Sequence, residues 1–158
     1  MTHNRINEGP KIALFEPDIP QNTGAIIRTC ACLGAKLEII QPCGFLLNDK
    51  RFKRVVMDYI GFSKIFRYED YDIFIKKNSK SRIILMTTKA KKSYHKFKFK
   101  KSDILLFGRE SAGVPEVLHS KIKNKLKIPI NKETRSLNVA ITVAIVASEA
   151  LRQNNFLK

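Results

Sequence analysis

Short runs of aliphatic and β-branched residues alternate along this chain with longer stretches whose apolar residues recur at helical spacing. Such alternation predicts an α/β fold, a parallel sheet flanked by helices. The segments Lys11–Phe15, Lys36–Ile40, Arg82–Thr87, Asp103–Phe107 and Lys125–Ile130 read as strands. Asn22–Leu33 reads as a helix with an apolar face of Ile26, Ile27, Cys30 and Leu33; Asn22 or Thr23 can cap it and Gly34 can end it. Lys50–Tyr59 and Asp70–Lys77 carry shorter helical patterns. The last helix, Asn138–Gln153, is apolar on most of its circumference, with Ala140, Ala144, Ala147 and Ala150 allowing close approach. One sheet face covers only one stripe of such a helix. A partner subunit is the expected second cover, so a homodimer is expected.

The chain has 158 residues, enough for a core without disulfides or metal, and its even composition predicts a single domain over 1–158. Its longest uncharged stretch, Ser136–Ser148, is too short to span a membrane, and Met1–Pro10 does not resemble a signal peptide. A cytoplasmic protein with no membrane partner is expected. Thirty Lys and Arg against 14 Asp and Glu give a formal net charge of +16. That charge points to a polyanion such as nucleic acid, although a lysine-rich coding bias also produces it. From Lys89 to Lys101 the chain carries seven lysines among Tyr94, His95, Phe97 and Phe99. Two readings stay open: a lysine-protected edge strand, or an RNA-facing segment.

Three polar clusters follow predicted strands: Glu16–Arg28 after the first, Phe107–Pro115 after the fourth, and Ile128–Asn138 after the last. Each has a structural explanation by itself, as a helix cap or a turn. Together they would form one crevice at the carboxyl edge of the sheet, where open α/β sheets bind ligands. Gly108 and Gly113 do not complete a P-loop, and no GxGxxG occurs. Cys30 and Cys32 fall on different faces of a helix and Cys43 has no further partner among the histidines, so the cysteines read as small buried hydrophobes and no metal is expected; the three histidines are too scattered for a catalytic dyad.

The clusters EPDIPQNTGAIIR, FGRESAGVP and IPINKETRSLN resemble, in this order, the three motifs of the SpoU branch of the SPOUT RNA 2′-O-methyltransferases. Pro42–Phe45, Asp49–Arg51 and Glu149–Gln153 extend the likeness over nearly the whole chain. The resemblance implies a C-terminal trefoil knot holding S-adenosylmethionine, and a dimer formed through the first and last helices. It assigns the methyl donor to the surroundings of Met86, Gly108, Ile128, Ser136 and Leu137. Within the branch the likeness is to minimal members that methylate the wobble ribose, nucleotide 34, in the tRNA anticodon loop. Another tRNA or rRNA position, or a non-catalytic basic RNA-binding protein, remains an alternative.

Methyl transfer to a 2′-hydroxyl needs an aligned nucleophile and a proton acceptor. Arg28 matches the family's catalytic arginine; a guanidinium is hard to deprotonate, so it is expected to clamp phosphate while a phosphate oxygen or water takes the proton. Asn22 is expected to orient Arg28 or the ribose. Glu110 is expected to pair with Asn22, Arg28 or the loops, and Asn138 to tie the last motif to the first.

Overall fold

The apolar runs are buried on both faces, the condition that makes parallel strands read as near-continuous hydrophobic segments. In the computed structural model, which describes residues 8–59 and 64–156, they form one parallel sheet. Its strands are β1 (Lys11–Phe15), β2 (Leu37–Ile40), β3 (Ile65–Tyr68), β4 (Arg82–Met86), β5 (Lys92–Ser93), β6 (Asp103–Phe107) and β7 (Asn124–Lys127). Their order across the sheet is β3-β2-β1-β6-β4-β7-β5. Residues 87–91 join β4 to β5 directly, yet β7 lies between those two strands. The chain's last strand therefore fills a gap bridged by a five-residue link.

The two-residue period of the strands sorts the core into layers. Ile12, Leu14, Leu37, Ile39, Leu105 and Phe107 face one side, with residues of α1 (Pro20–Leu33), α2 (Lys50–Val56) and α5 (Val139–Gln153). Ala13, Phe15, Ile40, Leu85, Ile104 and Leu106 face the other, with α3 (Tyr71–Lys77) and α4 (Glu116–Lys121). Small residues at Ala147 and Ala150 of α5 are fully buried on the layer that also holds Ile26, Ile27 and Cys30 of α1. Among the described residues no helix is long and apolar enough to cross a membrane.

Several boundaries differ from the sequence reading. The α1 helix starts at Pro20 with Ile19 in the capping position and no side-chain cap, so neither Asn22 nor Thr23 caps it. Proline suits the first helical turn because its missing N–H has no partner there anyway. Gly34 ends the helix with φ of 67°, a left-handed conformation suited to glycine. The final strand stops at Lys127 instead of Ile130, just before Pro129, which has no N–H for a ladder. The short edge strands β3 and β5 and the six-residue α4 were not expected as elements. The β5 strand falls inside the lysine-rich run and forms the sheet's edge, as the edge-strand reading had it. Most of Met1–Pro10 lies outside the described residues.

Two ionic clusters are built into the sheet's amino-terminal side. Glu38, only 1% exposed, accepts from Lys11 Nζ at 2.9 Å and from Asn78 Nδ2 at 3.1 Å. Asp103, fully buried, takes a two-pronged contact from Arg82 Nε and Nη2 at 2.8 and 2.7 Å. Leu105→Ala is expected to cost about 2–5 kcal/mol by opening a cavity in the central strand. Asp103→Ala should cost about 3 kcal/mol, the lower end for a buried pair, because Arg82 still reaches water. Urea unfolding followed by circular dichroism checks both values.

Candidate functional site

The β1 and β6 strands are neighbours at the centre of the sheet, so the loops leaving their carboxyl ends emerge side by side. The loop before α1, the loop 108–115 and the segment 128–138 meet above that edge, and Glu110 joins them. Its carboxylate accepts from the backbone amides of Asp18 at 2.8 Å and Ile19 at 3.4 Å, and from Asn22 Nδ2 at 3.3 Å. These donors sit at the start of α1, where unpaired N–H groups and the helix dipole favour an anion. Ile19 offers no capping oxygen; a carboxylate from a distant loop supplies the negative charge.

Asn22 passes the connection on. Its Oδ1 accepts from Asn138 Nδ2 at 2.9 Å, while Asn138 Oδ1 accepts from the amides of Ala140 and Ile141 at 2.8 and 3.3 Å. Asn138 thus caps α5 with its oxygen and holds α1 with its nitrogen. A carboxylate and two carboxamides link the starts of two helices through residues far apart in sequence. Each side-chain amide has one orientation that satisfies both neighbours.

A second set of contacts runs the other way across the same gap. Asp18 Oδ2 accepts from Ser111 N at 3.1 Å and from the Ser111 hydroxyl. Those hydrogen bonds, with a smaller contribution from Arg109, hold the Asp18 carboxyl below its ordinary pKa. Arg109 pairs with Glu16 and lies 5.4 Å from the centre of the Phe15 ring. Inside the loop, Gly113 N donates to Arg109 O at 2.8 Å, and Gly113 adopts φ of 65°. The loop closes so tightly that a Cβ on Gly108 would stand 2.6 Å from the Gly113 backbone.

Beneath these contacts lies a cavity of about 640 Å³, a volume in the range of small-molecule sites. Met86, Gly108, Ile128, Ser136 and Leu137 line it, as do Asn22, Glu110 and Asn138. Eight of the nine site residues read from the sequence therefore share one wall. Arg28 does not line it. Six residues along a helix from Asn22 leave it about 120° away around the axis, and its exposed guanidinium lies over the Tyr59 ring at 4.9 Å. Asn22 consequently bonds to Glu110 and Asn138 and has no hydrogen bond to Arg28.

The wall offers backbone groups beside glycine and small or apolar side chains, a surface suited to a flat, partly apolar ligand. It also holds His119, whose buried Nε2 has no hydrogen-bond partner among the described residues. Among the described residues no three His, Cys, Asp or Glu side chains are placed to hold a metal ion.

Residues 10–148 match the model of the SpoU rRNA methylase family. The chain belongs to that family. It is 45% identical over 144 residues, 90% of each chain, to a tRNA (cytidine(34)-2′-O)-methyltransferase of Beijerinckia indica. A solved structure described as giving insight into the 2-OH methylation of C/U34 on tRNA superposes with a TM-score of 0.88. It is 34% identical, covering 94% of this chain and 99% of that one. An AdoMet-bound rRNA methyltransferase from Sinorhizobium meliloti is 26% identical with a TM-score of 0.82, covering 91% of this chain and 56% of that one.

For this SpoU methylase, sequence reading missed Thr87, Thr88, Lys89 and His119 on the cavity wall. Thr87–Lys89 follow β4, and the rule that ligands gather beyond strand ends points to them. Nothing in the scattered histidines singles out His119. Gly108→Ala is expected to lower stability by about 1–3 kcal/mol, because backbone must move to admit the methyl. Ala112→Ser, on the exposed part of the same loop, should stay within about 0.5 kcal/mol. Thermal unfolding of the two variants provides the comparison.

Proposed function

We propose that this SpoU-family chain transfers a methyl group from S-adenosylmethionine to the ribose 2′-oxygen of nucleotide 34 in tRNA. The observation carrying the proposal is the cavity closed by Glu110, Asn22 and Asn138 in a chain so similar to tRNA nucleotide-34 methyltransferases. S-adenosylmethionine, when bound, supplies a sulfonium-activated methyl. Backbone groups around Met86, Gly108 and Ile128, with Ser136 and Leu137, hold the donor, and His119 is available to bond to it.

Glu110, Asn22 and Asn138 act by fixing the loops in register, so the acceptor ribose meets the donor at a defined angle. Arg28 stands apart as a phosphate clamp. Its guanidinium makes no ion pair among the described residues, so its planar donor fork is free for an RNA phosphate. The 2′-hydroxyl proton then leaves to a phosphate oxygen or a water, with Arg28 remaining charged throughout.

The same reading includes one catalytic domain over 1–158 working in the cytoplasm, without a metal, as a homodimer with the anticodon loop between its subunits. Exposed Ile19, at the start of α1, and Ile141, on α5, are 41% and 52% open and give that pairing an apolar surface. A trefoil knot in the C-terminal part agrees with the insertion of β7 between β4 and β5.

Purified protein incubated with S-adenosylmethionine and tRNA should place one methyl on the ribose of nucleotide 34, as mapped by mass spectrometry of nuclease fragments. A methyl at another tRNA or rRNA position would replace the proposed substrate, and binding of RNA without transfer would favour a non-catalytic protein. Arg28→Ala should lower kcat by about 100-fold while calorimetry shows donor affinity unchanged within about threefold. Near-normal turnover in that variant would remove Arg28 from the mechanism.

A further inference from the structure

The lysine-rich segment 89–101 has a structure its composition does not require. Lys89 lines the mouth of the cavity at the carboxyl edge of β4. Lys92 and Ser93 then pair with Leu126 and Lys127 of β7, a three-residue 3-10 turn follows at 94–96, and the chain returns to the start of β6 at Asp103. It therefore travels from one edge of the sheet to the other, roughly the 13 Å of a four-step strand.

Along this path the segment alternates. Ala90, Phe97 and Phe99 are buried, and the two phenylalanine rings pack at 5.1 Å. All seven lysines are exposed, and no acid occurs between 89 and 101. The backbone is pinned from both sides. Arg82 Nη2 donates to Lys98 O at 3.0 Å, and Lys100 N donates to the buried Asp103 at 2.8 Å. From α5, Gln153 Nε2 donates to Phe97 O at 3.0 Å and Gln153 Oε1 accepts from Phe99 N at 2.9 Å, while Asn154 Nδ2 donates to Phe99 O at 3.3 Å.

A merely solvated loop does not need buried aromatic anchors and five hydrogen bonds to keep its lysines in place. Among the described residues only Lys89 of the seven forms an ion pair, with Glu116, while Lys92 and Lys101 lie over the Phe97 and Phe156 rings. Among those residues Lys91, Lys96, Lys98 and Lys100 have no acidic partner. They are carried on a backbone that begins at the cavity and is pinned as it leads away from it.

We propose that 89–101 is a phosphate-binding strap that carries the backbone of the tRNA beyond the nucleotide being modified. This rests on the tRNA reading above and adds to it a surface that reads backbone charge and not base sequence. Lysines on an ordered scaffold suit that task, because point charges on long stems follow a phosphate chain without demanding a base. The path of the strap is set: it begins at Lys89 on the cavity wall and ends next to the start of β6.

The test is the salt dependence of tRNA binding in two matched triple variants. In the first, Lys96, Lys98 and Lys100 of the strap become Gln; in the second, Lys76, Lys77 and Lys80, which are exposed at and beyond the end of α3, become Gln. Each removes three positive charges, and none of the six lysine side chains forms an ion pair among the described residues. The strap variant should lose about 2–3 from the slope of log K against log salt and raise KM for tRNA, with kcat and donor affinity near wild type. The α3 variant should keep the wild-type slope. Equal losses in both variants, or none in the strap variant, would overturn the strap. A wild type that binds tRNA with the expected slopes but transfers no methyl would overturn the functional reading and leave the strap standing.

Discussion

A carboxylate at position 110 meets a helix start that cannot cap itself. Ile19 precedes Pro20 and has no side-chain oxygen, and the amides of Asp18 and Ile19 with the Asn22 carboxamide present donors ahead of and in the first turn of α1. Glu110 provides their acceptor from the loop after β6, and Asn22 and Asn138 extend the connection to the start of α5. Because α1 and α5 pack in the same layer, one short polar chain fixes where both begin relative to the sheet edge. All three residues line the cavity, so that relation shapes its wall.

The constraint explains why the chemistry lies outside the strands yet depends on them. The sheet supplies rigid neighbours, β1 beside β6 and β4 beside β7, whose exits must share one edge. Tight loop geometry supplies the rest, with Gly108 against Gly113 and Asp18 bound by Ser111. Arg28 is kept out of this mesh, exposed over Tyr59. The positive charge of the whole chain, +16, favours an encounter with a polyanion.

The central strands were legible because burial on both faces leaves an uninterrupted apolar run, as in Ile104–Phe107 of β6 and Ile12–Phe15 of β1. The edge strands were not: β3 carries Arg67 and an exposed Phe66, and β5 lies among lysines, so neither shows the core's signature. Asn22 was legible as a polar residue at a helix start, but its partner could not be read locally, since Glu110 lies 88 residues away. Arg28 stands on a neighbouring face of α1 and over Tyr59, outside the cavity, and the motif's compactness in sequence conceals that separation. His119 gave no sign, because only packing shows that its Nε2 is buried and unbonded.

Glu110 and Asn138 both line the cavity without bonding to each other, and Asn22 joins them. A double-mutant cycle on S-adenosylmethionine affinity, measured by calorimetry for wild type, Glu110→Ala, Asn138→Ala and the double variant, tests that link most directly. Each single variant should weaken binding, and the double variant should show a coupling of about 0.5–3 kcal/mol between the two positions. Single effects that simply add, or variants that bind the donor like wild type, would contradict it.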